Sequence, residues 1–368
     1  TVDANGSLVS PTNPAGETTT FTSGATGLLT AKTAPGNRTS TFSYDAAGRL
    51  GRDADAADGS QTLSVAGSAD AFTVTRTSAL GRTTSYGVEQ LQGKLLRRTV
   101  TLPDGTSGTV TDRRDAATRQ TTTPAGTEMQ VVAGADPRFG MAAPVARSVS
   151  VRFPSGLTSA ASNTRTASLS NSANPLSLSS LVETSTVSGN SFATTYTAAS
   201  RTLVTRSPLG RTRTLTLDAL GRPVGLQVSG GVVTSASYDA RGRLASVVTG
   251  SGSSARNFAF AYDAQGLPST VTDSLGRKVG MERDAAGRLV RKVLPDGDAI
   301  EIGYDDAGDL VSITPPGRPA HTFAYDARGM LAAITPPTVA GTGPTTFAYD
   351  ADRALTAVAR PGESIAFT

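Results

Sequence analysis

The chain of 368 residues contains no cysteine and no tryptophan, and aromatic residues make up only 5% of it. Without cysteine the protein can form no disulfide bond, no thiolate metal site and no cysteine nucleophile. With so few aromatic side chains to bury, we expect a thin apolar core, closer to a wall than to a ball. No apolar run reaches the roughly 18 residues that a membrane-spanning helix requires. The sequence therefore predicts no transmembrane segment.

Histidine is nearly absent, which limits the catalytic chemistry available. The single histidine, His321, would have to serve any Ser-His-Asp triad, and a histidine-based zinc site would need further ligands. His321 stands just before an alternating apolar segment, where an ordinary strand residue is the simpler interpretation. We therefore predict no catalytic residue and no cofactor.

The basic residues are spaced along the chain and do not cluster. The net charge is +4, and arginine far outnumbers lysine. A nucleic-acid-binding face would be expected to concentrate its arginines on one element. Here they recur at regular intervals, often directly after a glycine. This pattern argues against nucleic acid as a partner and predicts arginines paired with aspartates of adjacent units.

What the chain does have is a recurring motif, Asp-x-x-Gly, usually preceded by tyrosine and followed by arginine. The spacing from one copy to the next is about 21 residues, and a fixed period of this kind describes an architecture before it describes any chemistry. The copies with tyrosine are Tyr44-Asp45 to Gly48, Tyr238-Asp239 to Gly242, Tyr262-Asp263 to Gly266, Tyr304-Asp305 to Gly308, Tyr325-Asp326 to Gly329, and Tyr349-Asp350 with Arg353 in the glycine position. Two further copies have another residue in the tyrosine position: Leu217-Asp218 to Gly221 and Arg283-Asp284 to Gly287.

Each unit reads as two short strands, each followed by a turn. In Phe258 to Tyr262 the rings fall on every second residue, so they share one face of a strand. The aspartate can accept a hydrogen bond from the backbone N–H two residues on, and the glycine can take the positive φ that closes a short hairpin loop. A second turn, Leu-Gly-Arg, lies about halfway through several units, as at Leu209 to Arg211. The predicted fold is all-β, a continuous ribbon of antiparallel hairpins.

These Tyr-Asp-x-x-Gly-Arg-Leu units resemble the YD-repeat, or Rhs-repeat, family. That family includes bacterial polymorphic toxins, the shell component of insecticidal toxin complexes, and the teneurin adhesion receptors. The resemblance implies a ribbon wound into part of a hollow β-shell that encloses a cargo. It also implies further YD repeats and an enclosed toxin or effector polypeptide as partners.

The regularity of the repeats predicts three segments within one continuous architecture. Residues 1–130 carry irregular YD-type repeats, residues 131–200 form a divergent segment or insertion rich in Ser, Thr and Asn, and residues 201–368 form the regular array. Both ends fall in phase with the repeat and lack an evident cap, which a repeat array normally needs. We therefore expect a fragment of a longer chain, with end-to-end self-assembly as the alternative.

The functional prediction is a non-catalytic structural wall of a secreted or surface-displayed bacterial shell. The alternative is an extracellular adhesin or filament subunit that binds glycans or cell surfaces. Family toxins often carry a self-cleaving aspartyl protease segment with an Asp-Pro-x-Gly-type motif. Asp136 to Gly140 resembles that motif only superficially and lies mid-chain, so the activity is not assigned.

One acidic loop is a candidate calcium site. Asp53, Asp55 and Asp58 precede Gly59, and calcium takes several oxygen ligands from a tight loop. Their spacing misses the EF-hand pattern by one residue. The alternative is a solvated acidic turn.

Overall fold

The computed structural model describes residues 1–4, 6–57, 59–113, 116–338 and 342–367. Within them the chain folds into 31 β-strands and a single 3-10 turn at Gly252–Ser254, with no α-helix. The predicted all-β fold is confirmed. No helix in this part of the chain is long and apolar enough to cross a membrane.

Most strands are five to eight residues long, as expected for a chain with a turn signal roughly every ten residues. The first half of the ribbon comprises β1 Thr20–Ser23, β2 Leu29–Ala34, β3 Arg38–Tyr44, β4 Leu50–Ala54, β5 Ser60–Gly67, β6 Ala71–Ser78, β7 Thr83–Leu91, β8 Leu95–Thr101, β9 Ser107–Arg113, β10 Thr118–Thr122, β11 Glu128–Asp136, β12 Gly140–Arg152, β13 Thr158–Leu169, β14 Leu178–Val187 and β15 Asn190–Thr197.

The second half contains the more regular repeats. It comprises β16 Thr202–Arg206, β17 Thr212–Leu217, β18 Pro223–Val228, β19 Thr234–Tyr238, β20 Leu244–Thr249, β21 Arg256–Tyr262, β22 Pro268–Asp273, β23 Lys278–Arg283, β24 Leu289–Val293, β25 Ala299–Tyr304, β26 Leu310–Thr314, β27 His321–Tyr325, β28 Leu331–Thr335, β29 Thr345–Tyr349, β30 Leu355–Arg360 and β31 Glu363–Ala366.

From β1 to β31, each strand pairs antiparallel with the next strand in the chain, so the sheet is one ribbon in chain order. The hairpin turns therefore alternate between the two edges of the ribbon. We call the edge with the turns after odd-numbered strands, which carries the YD turns, edge A. The opposite edge, with the turns after even-numbered strands, is edge B.

The strands between residues 131 and 200 are longer than those of the regular array. Strand β12 has 13 residues and β13 has 12, whereas β26 to β29 have five each. These long strands keep the antiparallel pairing of the ribbon on both sides. The division of the chain into three segments stays a prediction, but this part of the ribbon is wider.

A β-bulge accompanies each YD turn. In β3 the register shifts between Ser43 and Tyr44, so that Tyr44 pairs with Leu50 and Ser43 with Arg52. The same shift precedes the equivalent position of seven other repeats. A bulge bends its strand and increases the right-handed twist. Repeated at one position in each unit, it gives the ribbon a steady coil.

The ribbon has no buried apolar core. Among the described residues no hydrophobic side chain is buried. The only buried polar or charged side chains in this part of the chain are those of Thr84 and Asp136. In β27 the side chains of His321, Phe323 and Tyr325 are half-buried on one face, while Thr322 and Ala324 are exposed on the other. The expected thin wall is confirmed. Two sheets packed face to face would have buried apolar side chains between them, so the ribbon is a single layer.

Candidate functional site: the YD turns and the seam

The aspartate of each YD turn holds the turn closed. In the first copy Asp45 Oδ1 accepts the backbone N–H groups of Ala47 and Arg49, both at 2.9 Å, and Asp45 Oδ2 accepts Arg49 Nε at 2.8 Å. Gly48 has φ of +75°, which favours glycine. The backbone N–H of Arg49 and its guanidinium hold the pKa of the Asp45 carboxyl below its ordinary value.

The arginine that follows the glycine pairs with the aspartate of its own turn. Asp and Arg are four residues apart at Arg222–Asp218, Arg243–Asp239 and Arg288–Asp284, with N–O distances of 2.7 to 2.8 Å. The expectation that these arginines pair with aspartates of adjacent units was wrong for these turns. The reason is geometric. The antiparallel turn places residues i and i+4 side by side, so the arginine lies closer to the aspartate of its own turn than to the aspartate of a neighbouring unit.

Tyrosine and arginine instead connect one repeat to the next. The Tyr325 hydroxyl donates to the carbonyl of Leu310, 15 residues earlier, at 3.0 Å. Five other repeat tyrosines make the equivalent bond at 2.7 to 3.2 Å: Tyr44, Tyr238, Tyr262, Tyr304 and Tyr349. The guanidinium of Arg243 also lies over the ring of Tyr262, 4.2 Å from its centroid, which is a cation–π contact. Both contacts fasten a repeat to its predecessor.

In one of the two repeats that lack the tyrosine, another side chain makes the hydrogen bond to the preceding repeat. Arg283 occupies the tyrosine position, and its Nη2 donates to the carbonyl of Pro268, again 15 residues earlier, at 3.3 Å. Its Nε is buried without a hydrogen-bond partner. Arginine therefore substitutes for tyrosine in the bond but leaves one polar atom unsatisfied.

Contacts between distant turns close the ribbon into a circuit. Arg38 pairs with Asp309, and Arg288 pairs with Glu17 at 2.6 Å; in both cases the partners are 271 residues apart. Farther along, Arg82 pairs with Asp350 and Asp352, and Arg353 pairs with Asp55. We call this line of contacts the seam. It joins edge-A turns near the end of the chain to edge-B turns near its beginning.

Most contacts of the seam share one register, whereas Arg353–Asp55 spans two strands more, from β5 to β29. The strands from β3 to β25 lie between Arg38 and Asp309, and those from β7 to β29 lie between Arg82 and Asp350, which is 23 strands in each case. At about 4.8 Å per strand, one circuit measures roughly 110 Å. A circle of that length is about 35 Å across.

The best-defined carboxylate site of the seam is the turn Ser78 to Arg82. Its Ser78 Oγ donates to Asp352 Oδ2 at 2.6 Å, its Leu80 N–H donates to Oδ1 at 3.2 Å, and its Arg82 Nη1 donates to Oδ2 at 3.0 Å. The Asp352 side chain is only 10% exposed. Burial raises the pKa of Asp352, but the bonds from Ser78, Leu80 and Arg82 outweigh burial and leave that pKa below its ordinary value.

A cavity of about 410 Å³ opens at this part of the seam, and the calcium candidates Asp53 and Asp55 line it. Asp55 Oδ1 accepts the N–H groups of Ala57 and Gly59, and Oδ2 accepts Arg353 Nη2 at 2.9 Å. Asp58 lies outside the described residues. Within the described ranges, no group of three or more His, Cys, Asp or Glu side chains is arranged to hold a metal ion. The calcium assignment stays a prediction.

His321 and Asp136 complete the sequence-predicted positions. His321 begins β27 and pairs with Ile313 of β26 through the backbone, and among the described residues its imidazole has no hydrogen-bond or ion-pair partner. Asp136 ends β11, is 3% exposed, and accepts Arg165 Nη1 at 2.9 Å and the Arg138 N–H at 2.8 Å. This pair of a buried aspartate and a half-buried arginine was missed because Arg165 stands 29 residues away and no local motif connects the two.

A single-layer ribbon of YD hairpins, coiled and joined to itself at a seam, is the wall of a YD-repeat shell. The Teneurin YD-shell family matches residues 1–368, the whole chain, so the chain belongs to that family. This match confirms the resemblance seen in the motifs.

Among solved structures, the chain is similar to a chain of the crystal structure of TcdB2-TccC3-Cdc42. The identity is 12%, the match covers 95% of this chain and 24% of that chain, and the TM-score is 0.46. It is also similar to a chain of the Tc holotoxin pore of Photorhabdus luminescens, with 12% identity, coverage of 94% and 25%, and a TM-score of 0.45. The chain thus spans about a quarter of the length of these two solved chains. No curated protein sequence matches it.

Proposed function

We propose that this ribbon is a non-catalytic part of the wall of a bacterial extracellular shell that encloses a toxin or effector polypeptide. The observation that supports the proposal is the seam, because contacts between residues 271 apart turn a flat ribbon into a circuit. A lumen of about 35 Å across, less the side chains that line it, is wider than an α-helix with its side chains, which measures about 10 to 12 Å. A polypeptide therefore fits inside.

The chemistry of the wall suits a container better than a catalyst. The aspartates of the YD turns are engaged by backbone N–H groups and arginines of the same turn, as at Asp239 and Asp284. A catalytic pair of carboxylates would need two such groups to converge and share a proton. The family match supports a structural role for the chain. The glycan-binding adhesin and the self-assembling filament stay predictions, which no observation here favours.

The test is limited proteolysis of the native protein isolated from its source, followed by mass spectrometry of the protected peptides. Enclosure predicts that a polypeptide segment without YD repeats survives protease while the ribbon is intact. The same segment should be digested at the rate of an unfolded control when the seam is weakened by Asp352→Ala. If non-repeat segments are digested equally fast in both proteins, the wall encloses nothing.

A further inference from the structure

The carboxylate-binding turn of the seam recurs on the part of edge B that the seam does not cover. The turn Ser207-Pro208-Leu209-Gly210-Arg211 joins β16 to β17, as Ser78 to Arg82 joins β6 to β7. Both turns have the order Ser-x-Leu-Gly-Arg. We refer to them as the 207–211 turn and the 78–82 turn.

The two turns share the same backbone geometry. In the 207–211 turn Ser207 N donates to Arg211 O and Gly210 N to Ser207 O, both at 2.9 Å, and the 78–82 turn has the equivalent pair at the same distances. Gly210 and Gly81 both have φ of +78°. The N–H of the arginine also donates to the serine Oγ in both, at 3.1 Å and 3.2 Å. The three donors that hold Asp352 are therefore present again.

In the 207–211 turn these donors have no carboxylate. Among the residues that the structure describes, neither the Arg211 side chain nor the Arg206 side chain has a hydrogen-bond or ion-pair partner, and the Arg206 guanidinium lies beside Gly210. Leu209 is 85% exposed, compared with 51% for Leu80 in the seam. The site thus combines two unpaired positive charges with an unused serine hydroxyl donor and an unused backbone N–H.

A third turn of the same kind carries its own carboxylate at the first position. Asp273-Ser274-Leu275-Gly276-Arg277 has aspartate where the others have serine. Asp273 Oδ1 accepts the Leu275 N–H at 2.9 Å, and Asp273 Oδ2 accepts Arg277 Nε at 2.7 Å. Two of the three groups that hold Asp352 across the seam, the leucine N–H and the arginine guanidinium, are here satisfied from within the turn. A serine in the first position therefore leaves the donors free for a carboxylate from elsewhere.

We propose that the 207–211 turn binds an aspartate at the position of Asp352, two residues after the motif aspartate, in a YD-type turn from another circuit of ribbon. The occupant follows from the seam, where the carboxylate bound by the 78–82 turn comes from the edge-A turn Tyr349 to Arg353. Complementary charge supports it, since such an aspartate would meet two unpaired arginines, Arg211 of the turn and Arg206 beside it. The site stands on its own geometry, whether or not the wall encloses a polypeptide.

The probe is a backbone-cyclised peptide with the sequence of residues 345–360, which contains the β29–β30 hairpin with Asp350 and Asp352. It is titrated into the ¹⁵N-labelled full chain, and the backbone amide signal of Leu209 and the guanidinium signal of Arg211 are followed by nuclear magnetic resonance. We expect saturable shifts at both residues. A peptide with Asn at both aspartate positions should bind at least about tenfold more weakly, because it lacks the charge-assisted bonds.

Two matched variants test the mechanism without disturbing the turn. Ser207→Asp should fill the site from within, as Asp273 does, and abolish the shifts at Leu209 and Arg211. Asp273→Ser should open a new site, so that the peptide shifts Leu275 and Arg277. These reciprocal results would establish the site.

Three outcomes would overturn the proposal. The parent chain could show no saturable shift at the 207–211 turn, or the shifts could persist unchanged in Ser207→Asp. Acetate could also bind as tightly as the hairpin peptide. That result would show a site for carboxylates in general, with no preference for a YD turn.

Discussion

Asp309 offers the sharpest test of the seam, because it departs from the repeat at the position where arginine is usual. Gly308 is followed by Asp309, whose side chain points away from its own turn and pairs with Arg38 across the seam. Replacing Asp309 with arginine would restore the repeat sequence of the turn. It would also place two guanidinium groups against each other. We therefore expect Asp309→Arg to preserve its own turn and to weaken the seam.

The magnitude follows from burial. The Arg38 and Asp309 side chains are 23% and 20% exposed. Exposed ion pairs contribute about 0.2 to 1 kcal/mol, and breaking a fully buried pair costs about 3 to 5 kcal/mol. A half-buried pair lies between these limits, at about 2 kcal/mol, and charge reversal adds some repulsion that Arg38 can relieve by turning toward solvent. Opening of the seam should become about 30-fold more frequent.

Hydrogen exchange at the Leu80 amide reports that opening. Leu80 N–H donates only across the seam, to Asp352, whereas the neighbouring Gly81 N–H donates within its own turn to Ser78. If the seam opens as a unit, Asp309→Arg should raise the exchange rate of Leu80 about 30-fold and leave Gly81 unchanged.

The matched control is Leu267→Arg, which also restores the repeat arginine, but after Gly266 on a part of edge A outside the seam. It should leave Leu80 exchange unchanged, and it can add an ion pair with Asp263. An unchanged Leu80 rate in Asp309→Arg would refute the reasoning, because it would mean that the distant contacts open independently.

Three further predictions concern the repeat and the seam. Tyr325→Phe removes the hydroxyl bond to the preceding repeat and should lower the free energy of unfolding by about 1 kcal/mol in urea denaturation, whereas Tyr86→Phe, at a tyrosine outside the repeat position, should change it little. Arg283→Tyr should raise the thermal midpoint, because it replaces a buried unsatisfied Nε with the hydroxyl bond of the other repeats; an unchanged or lower midpoint would contradict this. The pKa of Asp352 lies below 3.8 in the folded chain, so its contribution is present above the unfolded value and is lost as pH falls through the folded pKa. Leu80 exchange, corrected for intrinsic rates, should therefore stay slow at pH 5.5 and rise only below about pH 4; opening at pH 5.5 would show that another group controls the seam.

The local structure of the ribbon could be predicted from the sequence because its causes are local. An aspartate at i that accepts N–H groups at i+2 and i+4 needs only the turn itself, as Asp239 shows with Arg241 and Arg243. The link from Tyr325 to the carbonyl of Leu310 was not predicted, since it depends on the bulge that sets the register between neighbouring strands. The seam was even less accessible, because a small error in twist per strand accumulates over 23 strands and selects a different partner.

The sequence nevertheless carries a signal of the seam in its departures from the repeat. Asp309 and Arg353 break the motif, at an arginine and a glycine position respectively, and Asp352 adds a second carboxylate to its turn. All three contact the opposite edge, through Arg38, Asp55 and the 78–82 turn. Arg353 even adopts φ of +66°, a strained value for a residue with a side chain. These departing residues join the circuits together with conforming ones such as Arg288 and Arg82, and departures of this kind mark where a repeat protein is expected to give up local consistency for function.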